Sequence, residues 1–105
     1  MRVLLDTNVW VASFIARGTS SDLVEHLEHN HQVLTSEWLL DELRDVLTRK
    51  FDYSRDRVDR VGAFVRSSAE CIPLTGEPPD VSEDPDDNFV LLSASEGKAD
   101  LLVTG

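Results

Sequence analysis

Short apolar runs bounded by polar turn residues alternate along this chain with stretches that have the spacing of amphipathic helices. Short runs of this kind are typical of buried strands, and helical spacing is typical of helices that bury one face. The pattern predicts four strands, at 2–5, 32–35, 71–74 and 100–104, the third of them weak because Pro73 interrupts it. It predicts five helices, at 9–16, at 22–28, at 37–50, from Ser54 onward, and at 89–96.

Strands that are separated by helices predict a parallel central sheet covered on both faces. The expected fold class is therefore α/β, a three-layer α/β/α sandwich with a mainly parallel sheet, and we expect residues 1–105 to form a single domain. In open sheets of this kind, ligands bind beyond the carboxyl ends of the strands. Asp6, Ser36 and Thr104 each fall at such an end, so we expect them at one rim of the sheet.

The helix at 37–50 has the clearest pattern in the sequence. Ser36 is suited to cap its first turn. Asp41 and Asp45 point away from its apolar stripe, whereas Glu42 lies at the edge of that stripe. Glu42 is therefore the acid of this helix that faces inward, either as a site residue or as an ordinary border glutamate. The stripe consists of Leu39, Leu40, Leu43, Val46 and Leu47.

The composition fits one globular domain, with 41% hydrophobic and 29% charged residues among 105. A domain of this size buries a small core, so a partner protein or a homodimer would help to stabilise it. The single cysteine and the lack of a leader-like segment favour a cytoplasmic protein. The apolar runs are too short to span a bilayer.

The net charge of −10 argues against broad nucleic-acid binding, but the charges are unevenly distributed. Residues 44–66 hold seven basic and four acidic side chains, whereas residues 77–87 hold six acids and no base. The first segment could contact phosphates. The second is either a solvated loop or a cation site.

Several carboxylates lie where a site could form. Asp6 directly follows a buried strand, where it either caps the next helix or takes part in a site. Asp84, Asp86 and Asp87 precede the last helix, and three carboxylates are more than a cap requires. Clustered carboxylates favour Mg²⁺ or Mn²⁺. Acids from three parts of the chain that meet at one rim would suit metal-dependent phosphodiester hydrolysis.

Three ordered segments resemble the successive motifs of the PIN domain family: MRVLLDTNVWVASF, SEWLLDELRDVL and DPDDNFVLLSASEGKADLLVTG. Together they reach from residue 1 to residue 105. They look like the motifs of VapC-like toxins of bacterial toxin–antitoxin pairs. The resemblance implies a PIN-like sandwich, a Mg²⁺- or Mn²⁺-dependent ribonuclease, an RNA substrate and a protein antitoxin as partner.

The resemblance also implies roles for individual residues. Three look like the family's catalytic, metal-binding acids: Asp6, Glu42 and Asp87. Asp84 resembles an accompanying acid that also binds the metal. Four polar residues look like supporting members of the site: Thr7, Asn8, Ser36 and Thr104. In similar proteins the Thr-Gly pair precedes another aspartate and further elements, whereas this sequence ends at Gly105. We therefore expect C-terminal elements to be missing, as in a truncated form or a short relative with an incomplete metal site.

The activity implied by the resemblance is endonucleolytic cleavage of single-stranded RNA that leaves a 5′ phosphate and a 3′ hydroxyl. Four basic residues are candidates for contacts with the RNA backbone, or else form a solvated helix face: Arg44, Arg49, Lys50 and Arg55. Trp10 and Trp38 are interpreted as core or rim packing and not as base-stacking platforms.

Two alternatives to a nuclease stay open at this point. The first is a catalytically inactive PIN-fold module that binds an antitoxin or nucleic acid. The second is a phosphatase of the haloacid-dehalogenase type, which also begins with an aspartate after its first strand. Such phosphatases need the pattern D-x-D, whereas this chain has D-T-N at residues 6–8.

Overall fold

Four strands form one sheet in the order β3-β2-β1-β4, and every neighbouring pair is parallel. The computed structural model describes residues 1–15, 25–27 and 29–104 of the chain. The strands are β1 (Arg2–Leu5), β2 (Gln32–Ser36), β3 (Glu70–Ile72) and β4 (Leu101–Val103). The parallel arrangement confirms the prediction from the alternation of apolar runs and helical stretches.

The helices whose bounds lie within the described residues are α1 (Thr7–Ile15), α2 (Glu37–Phe51), α3 (Arg55–Ser68) and α4 (Pro85–Glu96). Residues 25–27 and 29–30 are helical as well, within and beyond the helix predicted at 22–28. The rest of that prediction, and the end of the first helix near Gly18, lie outside the described residues. None of the helices described is both long and apolar enough to cross a membrane.

The sheet separates two hydrophobic cores because successive strand residues point to opposite faces. Val3 and Leu5 belong to the core shared with α1, α2 and α3, whereas Leu4 belongs to the core on the α4 side. All three side chains are fully buried. Burial of a leucine contributes about 1.5–3 kcal/mol. Helices therefore cover both faces of the sheet, which is the three-layer sandwich that the sequence predicts.

α2 matches its prediction closely. Ser36 caps it, since the serine hydroxyl accepts a hydrogen bond from the backbone N–H of Leu39 at 3.3 Å. Four of the five predicted core positions are buried: Leu39, Leu40, Leu43 and Leu47. Val46 is only partly buried and lines a cleft. This side of α2 is the one that contributes to the candidate site.

α4 begins at Pro85, four residues before the predicted start at Phe89. The carboxylate of Asp84 accepts from the backbone N–H of Asp86 at 2.9 Å and thereby caps the helix. Proline is suited to a first helical position because it has no N–H to satisfy there. Asp86 and Asp87 consequently lie in the first turn of the helix, and not before it as the sequence pattern predicts.

α4 ends at Glu96, and Gly97 is its C-cap. Gly97 has a φ of −82°, and Lys98 instead has the left-handed conformation, with a φ of 51°. A Cβ at position 97 would lie 3.0 Å from both Cγ1 of Ile72 and the backbone oxygen of Ser93, so a larger residue would require these atoms to shift. Close packing at the end of α4 therefore favours a glycine here.

Candidate metal centre

An open cleft of about 370 Å³ lies beyond the carboxyl end of β1, between α2 and the start of α4. Among the residues that the structure describes, five carboxylates from three segments line it: Asp6, Glu42, Asp84, Asp86 and Asp87. The remaining lining residues are Thr7, Asn8, Trp38, Val46, Arg49, Lys50 and Val90. The cleft thus combines several carboxylates with basic, apolar and aromatic side chains from one face of α2.

Asp6 is placed by both β4 and α1. Its backbone N–H donates to the carbonyl of Val103 at 3.0 Å, and its backbone carbonyl accepts from the N–H of Val9 at 3.0 Å. Its carboxylate accepts from the N–H of Thr7 at 2.6 Å. The side chain is only partly buried and lines the cleft. Asp6 therefore satisfies a donor at the start of α1 and also contributes a carboxylate to the cleft.

Glu42 is a partly buried acid on α2, at the edge of the apolar stripe as predicted. Burial raises its pKa, and the negative charges of Asp86, Asp45 and Asp84 raise it further, while Arg49 acts in the opposite direction. Carboxylates that share a cleft disfavour one another's ionised forms. The charges of Asp84 and Asp86, at the start of α4, thus act on the carboxyl group that α2 contributes to the cleft.

The loop before α4 holds Asp87 in position. Asn88 is buried, accepts from the N–H of Ser82 at 3.0 Å, and donates to the carbonyl of Ser82 at 3.0 Å. The hydroxyl of Ser82 in turn donates to the carboxylate of Asp87 at 3.2 Å. Sequence reasoning missed Asn88 as a positioning residue. The signal was an amide directly after two aspartates at the start of a helix.

The structure brings most of the predicted site residues together. Asp6, Glu42, Asp84, Asp87, Thr7 and Asn8 all line the cleft. Thr104 lines an adjoining hollow, whose lining it shares with Asp6 and Asp87. Asp86 belongs to the carboxylate cluster that the sequence indicates, although the resemblance assigns it no role. It lines the cleft, and it is the acid whose charge acts most strongly on Glu42.

Ser36 lies apart from the predicted site. Its side chain is fully buried, caps α2, and lies 2.9 Å from the hydroxyl oxygen of Ser93. It does not line the cleft. The prediction placed it at the correct rim of the sheet, but its hydroxyl faces the interior because the turn from β2 into α2 directs it there.

The four basic candidates divide into two pairs. Arg49 and Lys50 line the cleft, and Arg49 also forms an ion pair with Asp45 at 3.1 Å. Arg44 instead pairs with Asp59 of α3 at 2.8 Å. Arg55 begins α3 and is exposed outside the cleft. Of these four candidates, the two in the last turn of α2 are therefore the ones that line the cleft with the acids.

The donor set fits a hard divalent cation in its chemistry, since the acids are anionic oxygen donors of the type that Mg²⁺ and Mn²⁺ prefer. Within the part of the chain that the structure describes, no group of three or more His, Cys, Asp or Glu side chains is arranged to hold one ion. The carboxylates share a cleft but are spread along its walls. Binding an ion through several of them would require rotation of side chains.

A family model described as PIN domain matches residues 2–105. No curated protein matches the chain significantly. Among solved structures, the fold is similar to that of a chain in the crystal structure of VapBC2 from Rickettsia felis bound to a DNA fragment from their promoter. The TM-score is 0.73 at 17% sequence identity, and the alignment covers 98% of this chain and 87% of that chain. At this identity the structural likeness shows the fold alone.

Proposed function

Because the chain belongs to the PIN domain family, we propose that it is a metal-dependent endoribonuclease that cleaves single-stranded RNA as the toxin of a toxin–antitoxin pair. PIN domains are generally nucleases. The observation that carries the proposal is the cleft in which five carboxylates from three segments face Arg49 and Lys50. Anionic donors beside basic side chains suit a substrate that is bound through both a cation and its phosphates.

In this proposal Asp6, Glu42 and Asp87 hold Mg²⁺ or Mn²⁺, with Asp84 as an accompanying ligand. Asp86 is the alternative to Asp87 as the third metal ligand, since the negative charge of Asp86 contributes to the raised pKa of Glu42. Bound divalent ions supply charge neutralisation of the phosphate and lower the pKa of a coordinated water. A bound cation would offset the repulsion among the acids, which adds to burial in raising the pKa of Glu42.

The chain's own groups orient the reaction. The N–H of Thr7 fixes one oxygen of Asp6, and the hydroxyl of Ser82 fixes one oxygen of Asp87. Arg49 and Lys50 hold a phosphate of the RNA. A water oxygen bonds to phosphorus, the bond from phosphorus to O3′ breaks, and the proton lost by the water balances the one taken up by O3′. The products carry a 5′ phosphate and a 3′ hydroxyl.

The proposal includes a protein antitoxin, a cytoplasmic location and a single domain over residues 1–105. The antitoxin is supported by the similarity in fold to a chain of the VapBC2 complex. A homodimer is compatible with the small core of a chain of 105 residues. Size-exclusion chromatography of the purified protein, alone and with the product of a neighbouring gene, tests both assemblies.

A second candidate function is an inactive PIN-fold module that binds an antitoxin or nucleic acid. It is favoured by the observation that, among the residues described, no group of three or more potential ligands is arranged around one ion position. A haloacid-dehalogenase-type phosphatase has no support once the PIN family match is taken into account.

Cleavage of an end-labelled single-stranded RNA separates the two candidates. We expect cleavage with Mg²⁺ or Mn²⁺ and none with a chelator. Glu42→Gln should reduce the rate by at least about 100-fold, as expected for loss of a charged group at a reacting phosphate. Asp41→Asn is the matched control, because Asp41 is the neighbouring acid of α2, is exposed, and lies outside the cleft. Wild-type protein that is folded yet cleaves no RNA with either ion would favour the binding module.

Replacing the two adjacent acids of α4 assigns the third ligand. Asp87→Asn should abolish metal-dependent cleavage if the assignment by resemblance is correct. Asp86→Asn should then retain most of the activity. The opposite result would assign the third ligand position to Asp86.

A further inference from the structure

The two tryptophans of the chain occupy different environments. Trp10 is 1% exposed and lies in the core, as interpreted from the sequence. Trp38 is only partly buried and lines the carboxylate cleft. The sequence interpretation treated both as packing residues, whereas the structure assigns packing alone only to Trp10.

Trp38 has packing partners in α4 and in the core. Its ring stacks on that of Phe89 from α4, with ring centroids 5.1 Å apart and planes 6° from parallel. It also packs against the core on the α4 side of the sheet. Phe89 covers one face of the indole, so the surface that Trp38 contributes to the cleft lies elsewhere on the ring. A fixed aromatic side chain beside charged groups offers a platform on which a planar ring can stack.

One face of α2 lines the cleft with aromatic, acidic, apolar and basic side chains, in that order along the helix. Trp38, Glu42 and Val46 follow one another at helical spacing, and Arg49 and Lys50 complete the row. At a rise of about 1.5 Å per residue, Trp38 lies about 6 Å along the helix from Glu42, and Glu42 lies about 12 Å from Lys50. The row runs from an aromatic group, past the acids, to the basic groups.

We propose that Trp38 stacks an unpaired nucleobase of the RNA and thereby places the adjoining phosphate at the acids of the cleft. This inference rests on the proposed nuclease function and specifies its substrate. The RNA strand would lie along α2, with one base stacked on Trp38. Arg49 and Lys50 would hold a phosphate on the far side of the acids. A base within a duplex has both faces covered by its neighbours, so only an unpaired base can stack in this way.

Fluorescence tests the contact without requiring catalysis. A single-stranded oligoribonucleotide, added with Ca²⁺ in place of Mg²⁺ and checked on a gel for integrity, should quench the tryptophan emission. Trp10→Phe should retain the quenching, and Trp38→Phe should remove it, because these are the two tryptophans of the chain. A duplex of the same sequence should quench little. Quenching that persists in Trp38→Phe would overturn the proposal.

A series of substrates with one abasic position each tests the stacking in cleavage. For wild-type protein, removal of one particular base near the cleavage site should lower kcat/KM by about 5-fold to about 150-fold. Trp38→Leu keeps an apolar side chain in the core but removes the aromatic face. It should lower kcat/KM on intact RNA by a similar factor and be insensitive to the abasic position. Trp38→Phe should retain part of the activity on intact RNA and part of the sensitivity to the abasic position.

The outcomes separate this inference from the proposed function. If wild-type protein cleaves RNA and Trp38→Leu is as sensitive to the abasic position as wild-type protein, the stacking inference fails alone. If wild-type protein cleaves no RNA, the nuclease function fails, and the fluorescence titration still decides whether Trp38 contacts a base. Thermal unfolding of Trp38→Leu checks that the variant is folded. Phe89→Leu removes the ring on which Trp38 is stacked, and it should lower kcat/KM on intact RNA less than Trp38→Leu does.

Discussion

The hydroxyl oxygens of Ser36 and Ser93 lie 2.9 Å apart, and both side chains are fully buried between β2 and α4. Ser93 donates its hydroxyl proton to the carbonyl of Phe89 at 2.9 Å. Ser36 must therefore donate to Ser93, while its own oxygen accepts from the N–H of Leu39. This chain of hydrogen bonds joins the first turn of α2 to α4, and so fixes the two helices that carry most of the cleft.

Ser36→Ala should therefore destabilise the protein more than loss of an ordinary cap. We expect a loss of about 2–3 kcal/mol in the free energy of unfolding, since the variant loses a cap and leaves a buried group without its partner. Ser54→Ala is the matched control, because Ser54 caps α3 at an exposed position. It should cost about 1 kcal/mol. Urea unfolding measures both values, and equal losses would contradict a structural role for the serine pair.

Gly97→Ala and Gly62→Ala should change stability in opposite directions. A Cβ at Gly97 would lie 3.0 Å from a backbone oxygen and from Ile72, so we expect a loss of about 1–3 kcal/mol. A Cβ at Gly62 meets only the side chain of Arg44, at 3.7 Å, within a helix. Alanine there should stabilise by about 0.5–1 kcal/mol through its higher helix propensity. Thermal unfolding of both variants checks the contrast, and a stabilised Gly97→Ala would refute the packing argument.

The ion pair between Glu37 and Arg66 should contribute a pH-dependent part of the stability. Arg66 donates to both carboxylate oxygens, at 2.6 Å and 2.8 Å, and these hydrogen bonds lower the pKa of Glu37. A lowered folded-state pKa gives stability that is present above the unfolded-state value of about 4.3 and is lost as the pH falls through the folded-state pKa. The stability difference between wild type and Glu37→Gln should therefore shrink as the pH falls below about 4.3 and through the folded-state pKa of Glu37. In an Arg66→Gln background, the same comparison should show little pH dependence.

Glu42→Gln should stabilise the metal-free protein at neutral pH. Burial and the charges of Asp86, Asp45 and Asp84 raise the pKa of Glu42, so its ionised form is less favourable in the folded state than in the unfolded state. A neutral glutamine removes that penalty, and we expect a melting temperature a few degrees higher in the presence of a chelator. Mn²⁺ should stabilise the wild type more than the variant. An equal response to Mn²⁺ would exclude Glu42 as a ligand.

Lys50→Gln and Arg55→Gln should differ in their effect on RNA binding, although both remove one positive charge. Lys50 lines the cleft and Arg55 does not. Lys50→Gln should weaken binding and reduce the slope of log K against log salt by about 0.7, the value expected for one phosphate contact to a single strand. Arg55→Gln should leave the slope unchanged. Filter binding at several salt concentrations measures the slopes, and equal slopes for the two variants would contradict the assignment.

The sequence by itself determined the local features of this protein. Apolar periodicity gave the strands, the three-layer sandwich and the buried stripe of α2, because side-chain direction in a helix or strand follows from its own repeat. Ser36 was identifiable as a cap because a serine directly before a helical pattern can accept a hydrogen bond from a free backbone N–H of the first turn. The start of α4 was missed because the run of acids at 83–87 resembles a loop, whereas Pro85 and the cap by Asp84 begin a helix there.

Only the tertiary structure decided which side chains meet. Glu42, Asp86 and Lys50 share a cleft. By contrast, Arg44 forms an ion pair with α3, and the Ser36 hydroxyl lies in the interior. These outcomes depend on how α2 packs against α3 and on where α4 begins relative to β1, and such relations join residues that are far apart in the chain. The repeat of apolar residues within one helix cannot determine these contacts. It shows which face of the helix is buried, but not which other element packs against that face.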